Sequence, residues 1–237
     1  VTVVEQQGAQ QLAAPAPDGR EIALTHPSVA LLQRLGSWQE LDAHEVGLLR
    51  EAQVHDGPVG QSGAMQLHAG GSGVDHLGWI VPNHALRRSA WAVASRTPGI
   101  KLITGARVGQ VSITPEQAQL SYTSADRPDA PAQQLQARLL VAADSRFSPT
   151  RRAVGIGAAM HDFGRSMLVC QMTHDVPHEH AAWEWFGHGQ TLALLPMNDD
   201  PVTGAHRASV VLTLPHQQIE PLLALDEAAF NSHITRR

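Results

Sequence analysis

The stretch Leu139–Gly155, read as LLVAADSRFSPTRRAVG, constrains the fold more than any other part of the 237-residue chain. Its apolar run, Leu139-Leu140-Val141-Ala142-Ala143, has the length and character of one buried parallel strand. The run stops at Asp144, and a polar turn from Ser145 to Pro149 leads into a helical start at Thr150-Arg151-Arg152. A buried strand ending in a carboxylate, then a turn and cations, is how open α/β sheets build ligand sites at their strand ends. The residues alone leave a second reading open, an ordinary strand–turn–helix connection in which Asp144 only caps the helix.

Composition narrows the classes of function. The chain is 43% hydrophobic and 16% charged with a net charge of −5, the balance of a globular protein with a real core. No block of lysine or arginine points to nucleic acid. Cys170 is the sole cysteine, so no disulfide framework exists. No apolar run reaches the roughly 18 residues of a membrane span, and no signal peptide is visible, which sets the expectation of a cytoplasmic protein. The opening strand Val1–Glu5, with no Met, and a C-terminus inside a helical pattern both read as cut ends.

Taken in order, Val1–Glu5 is a β-branched strand ending in an acid, and Gln6–Pro17 reads as a loop. Asp18-Gly19 is a turn pair before a short strand, Arg20–Leu24. Val29–Leu35 is a helix opened by Pro27-Ser28 and stopped by Gly36. Leu48–Asp56 and Met65–His68 read as strands joined by a glycine-rich connection from Gly57 to Gly63, and Gly70–Gly73 as another flexible loop. A helix over His84–Ser95 follows, with Leu86, Ala90 and Val93 on its apolar face. Ile100–Thr104 is a strand, and the segments 106–113, 118–123 and 134–137 predict a small antiparallel meander with an Asp/Pro-rich turn at Asp126–Pro131. Beyond Gly157, Ser166–Thr173, Ala181–Phe186, Gln190–Pro196 and Ala208–Leu214 stand at hairpin spacing and predict a second antiparallel sheet. A helix over Ile219–Phe230 is expected to pack on it. Of 14 histidines, the densest cluster is His174–His180; Pro177 breaks helical presentation and no Cys pair completes a zinc pattern, so no metal site is expected.

Five segments in this order resemble an internal part of a class A flavoprotein aromatic monooxygenase, nearest the ubiquinone-biosynthesis hydroxylases. They are Arg20–Leu24, Leu31–Trp38, Val81-Pro82-Asn83, Leu140–Arg151 and Gly189–Pro196. The family signature Asp-Gly-x-x-Ser-x-x-Arg stands here as Asp144-Ser145-Arg146-Phe147-Ser148-Pro149-Thr150-Arg151. Ser145 thus replaces a glycine, which strains the turn where the position needs positive φ.

The resemblance implies a mixed α/β (α+β) fold in which a Rossmann-like FAD-binding domain is interleaved with an antiparallel-sheet substrate domain. The FAD domain would span 1–46 and 77–158, without its glycine-rich opening unit or its closing Gly-Asp segment; the substrate domain would span 47–76 and 159–237. It implies hydroxylation of an aromatic ring, a ubiquinone precursor, with FAD as cofactor, NAD(P)H as co-substrate and O2. Glu5 would hold the adenosine ribose, Arg20 the FAD pyrophosphate and Asn83 the flavin edge. Asp144 and Ser145 would organise the dinucleotide site, with Arg151 as ionic partner. No catalytic nucleophile–base set is visible, in keeping with a cofactor that carries the chemistry. Trp183, Trp185, Leu192, Leu194 and Pro196 are the candidate substrate wall, and a greasy quinone precursor, reached through a peripheral membrane contact, fits it better than a small benzoate. Two other readings stand beside this one: a reductase or halogenase of the same fold, and an inactive truncated remnant.

Overall fold

The computed structural model describes every residue except 58–62, 71–72, 128 and 188. The glycine-rich connection after Gly57, the Gly70–Gly73 loop and the Asp126–Pro131 turn therefore lie partly outside the described residues. Strands are β1 (Thr2–Val4), β2 (Glu21–Thr25), β3 (Gly47–Leu49), β4 (Glu51–Asp56), β5 (Met65–His68), β6 (Gly78–Pro82) and β7 (Lys101–Ile103). They continue with β8 (Ala106–Ile113), β9 (Ala118–Ser124), β10 (Gln133–Ala137), β11 (Arg165–His174), β12 (Ala181–Gly187), β13 (Gln190–Met197) and β14 (His206–Pro215). Helices are α1 (Ala9–Ala13), α2 (His26–Leu35), α3 (Asn83–Arg96), α4 (Pro149–Ala153), α5 (Ile219–Leu223) and α6 (Glu227–Thr235). Among the described residues no helix is long and apolar enough to cross a membrane.

The chain forms two compact units, Val1–Ala14 with Ala94–His161, and Pro15–Val93 with Asp162–Arg237. The expected FAD domain grouped 15–46 and 77–93 with 1–14 and 94–158; by contacts these segments lie in the second unit, where Gln171 and Ser209 reach Glu21 and Gly19.

In the first unit β1 pairs with β7 in parallel, Thr2 opposite Lys101 and Val4 opposite Ile103. The meander is present, in the order β10-β9-β8, with a bulge between Val108 and Val111. Ser121 fills that bulge, its Oγ accepting from the Gln110 N–H at 2.8 Å. Two expectations are corrected. Residues within Gln6–Pro17 form the short helix α1 instead of a loop. Leu139–Ala143 is not a buried strand: it pairs with no described strand, and Leu139 and Val141 are 76% and 74% exposed. An apolar run becomes a strand only where a neighbour takes its N–H and C=O groups.

In the second unit a six-stranded sheet runs β11-β14-β13-β12-β4-β5, and a three-stranded sheet runs β2-β6-β3. The larger sheet is mixed, not purely antiparallel, because β12 and β4 join in parallel, Ala181 opposite Glu51. Its core gathers Leu168, Leu192, Val210, Leu212 and Leu214 from the strands under Leu222 of α5 and Ile234 of α6. Each such side chain contributes roughly 1.5–3 kcal/mol when fully buried. The helix expected over Ile219–Phe230 breaks at 224–226, where Asp226 caps α6 by accepting from the Ala229 N–H at 2.8 Å. Helix α2 ends as expected at Gly36, in the left-handed region at φ 80°. On α3 the buried positions are Ala85 and Ser89, while Ala90 is exposed, so the stripe is displaced from Leu86/Ala90/Val93.

Candidate cofactor site

In the second unit Asp18, Arg20 and Asn83 form one hydrogen-bonded knot. The left-handed Gly19 (φ 72°) turns the chain so that Asp18 reaches back over Arg20. The Arg20 Nε and Nη2 donate to Asp18 Oδ2 at 3.0 and 2.6 Å, and the Asn83 Nδ2 donates to the same oxygen at 2.7 Å. The β2–β6 register, Glu21 opposite Pro82, sets Arg20 beside Asn83, and the Asn83 N–H donates to the Arg20 carbonyl at 2.9 Å. Burial works against the Asp18 charge, but the bonds from Arg20 and Asn83 outweigh it and hold this carboxyl at about 2. The Arg20 side chain stays 54% exposed, so the cation is oriented yet open to an anion.

Next to this knot, Glu21 is 8% exposed and accepts from the Gln171 Nε2 at 3.3 Å. Burial pushes its carboxyl up to about 7, against the pull of Gln171 and of the Arg207 charge. It borders a cavity of about 30 Å³ whose lining includes His44, Glu45, Met197, Asn198 and Arg207. That volume holds about one or two waters. Glu45 is held low despite partial burial, chiefly by Arg88, whose Nη1 and Nη2 donate to its two oxygens at 3.0 and 2.5 Å.

The first unit carries Glu5, Asp144, Ser145 and Arg151. Glu5 follows β1; its Oε1 accepts from the Gln7 N–H at 2.7 Å, while its backbone continues the ladder to Ile103. Asp144 accepts from the Ser148 hydroxyl and, at 2.9 Å, from the Thr150 N–H. The Ser148 hydroxyl bond leads in lowering this carboxyl to about 2. Ser148 is the N-cap of α4, its Oγ accepting from the Arg151 N–H at 2.8 Å. Asp144 thus sits one step behind the cap and braces it. Ser145 has φ 84°, the backbone that favours glycine. The Arg151 guanidinium donates to the Ile156 carbonyl at 2.5 Å, so Arg151 reaches the Asp144 network through its backbone N–H and not as the expected ionic partner.

On β12, Trp183 and Trp185 share a face, ring centroids 5.1 Å apart, with His55 of β4 stacked on Trp185 at 4.6 Å. Register puts Leu194 opposite Trp183 and Leu192 opposite Trp185, so these and Pro196 lie on that same face. Leu192 is buried and Pro196 fully so, and Leu192 and Leu194 pack with the core under α5 and α6. The cavity at Glu21 is lined from the opposite face, by Met197 and Arg207.

Asp18 and Glu21 escaped the sequence reading. Asp18 showed only as half of a turn pair. Glu21 showed only as a strand residue, because its burial comes from β11 and β14, far along the chain.

No family model matches the chain. In sequence it is 38% identical over 225 residues to ubiquinone hydroxylase UbiM of Neisseria meningitidis, covering 92% of this chain and 45% of that protein. It is 29% identical over 238 residues to ubiquinone hydroxylase UbiL of Rhodospirillum rubrum, covering 100% and 51%. Among solved structures the flavin-dependent halogenase CmlS superposes with a TM-score of 0.71 at 18% identity, covering 100% of this chain and 41% of CmlS. The fold is the one shared by flavin-dependent enzymes such as CmlS. In sequence it is similar to the ubiquinone hydroxylases. The chain spans about half the length of the curated relatives it matches.

Proposed function

We propose that this chain is part of an FAD-dependent monooxygenase that hydroxylates the aromatic ring of a ubiquinone precursor, using NAD(P)H and O2. The observation that carries the reading is the Asp18–Arg20–Asn83 knot, which holds a half-exposed cation rigidly at the end of β2. Asp18 takes the Nε and Nη2 bonds, and the exposed remainder of the guanidinium can meet a second anion, which a pyrophosphate from FAD would supply.

Arg20 and Asn83 in one unit, and Glu5 and Asp144 in the other, each offer groups suited to a part of that cofactor. Arg20 would contact the pyrophosphate and Asn83, fixed through Asp18 and the Arg20 carbonyl, would lie at the flavin edge. Glu5 keeps one carboxylate oxygen beyond the one that holds the Gln7 N–H, an acceptor for ribose hydroxyls. Asp144, ionised well below neutral pH, would accept from a cofactor hydroxyl while bracing α4, with Ser145 and Arg151 shaping the same turn. FAD, when bound, supplies the electron transfer from NAD(P)H and the delivery of one oxygen atom from O2. The chain's own work is to bind, orient and exclude water. The half-buried Trp183 and Trp185 are the candidates that remain for an aromatic substrate once Leu192, Leu194 and Pro196 are assigned to the core. A greasy substrate drawn from a membrane surface by a cytoplasmic enzyme belongs to the same reading.

The test is expression of the complete reading frame containing this chain. Copurified or added FAD should give a bound-flavin spectrum, with Arg20→Ala weakening FAD at least tenfold, and substrate should stimulate NAD(P)H oxidation with a hydroxylated product. A protein that stays colourless with excess FAD would refute the proposal; halogenated product or uncoupled reduction would assign it to another flavoenzyme of the fold.

A further inference from the structure

The hairpin-poor histidine segment, unpromising as a linear motif, becomes a two-strand cluster in the folded chain. His174 ends β11 and His206 begins β14, and the two stand directly opposite each other in the ladder. Their ring centroids are 5.9 Å apart with planes tilted by 30°. His178 lies 5.7 Å from His174, and His180 lies 5.6 Å from His178.

Hydrogen bonds fix the tautomers of the opposed pair. The His174 Nδ1 is 2.6 Å from the Val176 carbonyl, which can only accept, so Nδ1 carries the proton and Nε2 keeps its lone pair. The His206 Nδ1 is 2.9 Å from Asp199 Oδ1, with the same consequence. The His174 Nε2 is buried and has no hydrogen-bond partner in the structure. An imidazole that donates one N–H to a carbonyl or carboxylate and offers the other nitrogen bare is the arrangement found behind metal-ligating histidines. Metal–nitrogen bonds of about 2.0–2.1 Å bring the centroids of two neighbouring imidazole ligands to about 5–6 Å, the separation found here. His178 has a different part: its Nε2 donates to the Met197 carbonyl at 2.8 Å and its Nδ1 accepts from the His180 N–H at 3.0 Å, so it walls the site without ligating. The turn that sets it is held in left-handed backbone at both Glu179 (φ 51°) and His180 (φ 61°).

We propose that His174 and His206, backed by Val176 and Asp199, form a binding site for a late first-row divalent cation such as Cu²⁺, Ni²⁺ or Zn²⁺. Water completes the coordination shell, and imidazole nitrogen selects these ions over Mg²⁺ and Ca²⁺. Among the described residues, Asp42, His44 and Glu45 bring three ligand atoms within 4.8 Å of one another, but that group is committed elsewhere, since Glu45 is gripped by Arg88 through both oxygens. The site is independent of the flavin reading.

The test uses the tag-free chain, stripped with chelator and titrated with Cu²⁺ or Ni²⁺ by calorimetry, alongside electron paramagnetic resonance of the Cu²⁺ form. One ion per chain is expected, with at least two nitrogen ligands in the spectrum. His174→Ala and His206→Ala should each weaken binding tenfold or more, and Asp199→Asn by about 10–100-fold, with His44→Ala unchanged. Fewer than two nitrogens on the wild-type ion overturns the proposal without recourse to any variant. So does undiminished binding in a folded His174→Ala protein, or loss of binding in His44→Ala.

Discussion

Replacing Glu21 by glutamine removes a buried charge while keeping size and the acceptor for Gln171. Burial raises the carboxyl from 4.5 in the open chain to about 7 in the folded one. Between those values the folded state binds more protons than the unfolded state, so stability falls as pH rises through this window. Below about 4.5 the group is neutral in both states and costs nothing; above 7 the whole difference is lost. At about 1.4 kcal/mol per unit, a rise of that size is worth about 3 kcal/mol, an upper bound because water admitted to the adjoining cavity would relax the charge. Glu21→Gln should therefore match wild type in urea unfolding at pH 5 and exceed it at pH 8.5 by about 1–3 kcal/mol. With a slope of about 2 kcal/mol per molar urea, the midpoints would separate by about 0.5–1.5 M at the higher pH. Arg207, Gln171, Asp18 and Glu45 all act on this group, so the comparison is made at one ionic strength. An identical gap between variant and wild type at both pH values would refute the reasoning.

Two further outcomes follow from backbone geometry. Ser145→Gly relieves a side chain from φ 84° and should stabilise the chain by about 0.5–1 kcal/mol, read as a rise in melting temperature; no change would mean the turn relaxes at no cost. Gly78→Ala would set a Cβ only 2.1 Å from the Leu24 carbonyl oxygen, so the β2–β6 pair must open. A loss of more than about 3 kcal/mol, or failure to accumulate soluble protein, is expected, and a wild-type unfolding curve would contradict the close approach.

Local patterns were readable from the residues and distant pairings were not. Helix α2 carries its opener at Pro27 and its stop at Gly36 within the segment itself. The meander and the four strands from β11 to β14 announce themselves by alternation and spacing. The parallel join of β12 to β4 has no local sign, since the two strands lie far apart in the chain. Leu139–Ala143 shows the converse: its composition is that of a buried strand, but pairing decides. Asp226 could have been read as a cap, because its side chain bonds three residues ahead in the common way; the apolar residues on both sides masked the break. At the site, Arg20 and Asn83 were named from the resemblance, but what ties them together, Asp18, is visible only once Glu21 is set opposite Pro82.

The join of β4 to β12 also bears on how the chain is made. Met65 and Leu67 of β5 remain 58% and 46% exposed even in the finished sheet. During synthesis the β4–β5 hairpin emerges well before Ala181–Gly187, and at about 5–20 residues per second the wait is on the order of ten seconds. Throughout it, β4 offers an unpaired backbone edge beside apolar side chains, which is the form that invites pairing between chains. The hairpin is thus the segment a nascent-chain chaperone would have most reason to cover.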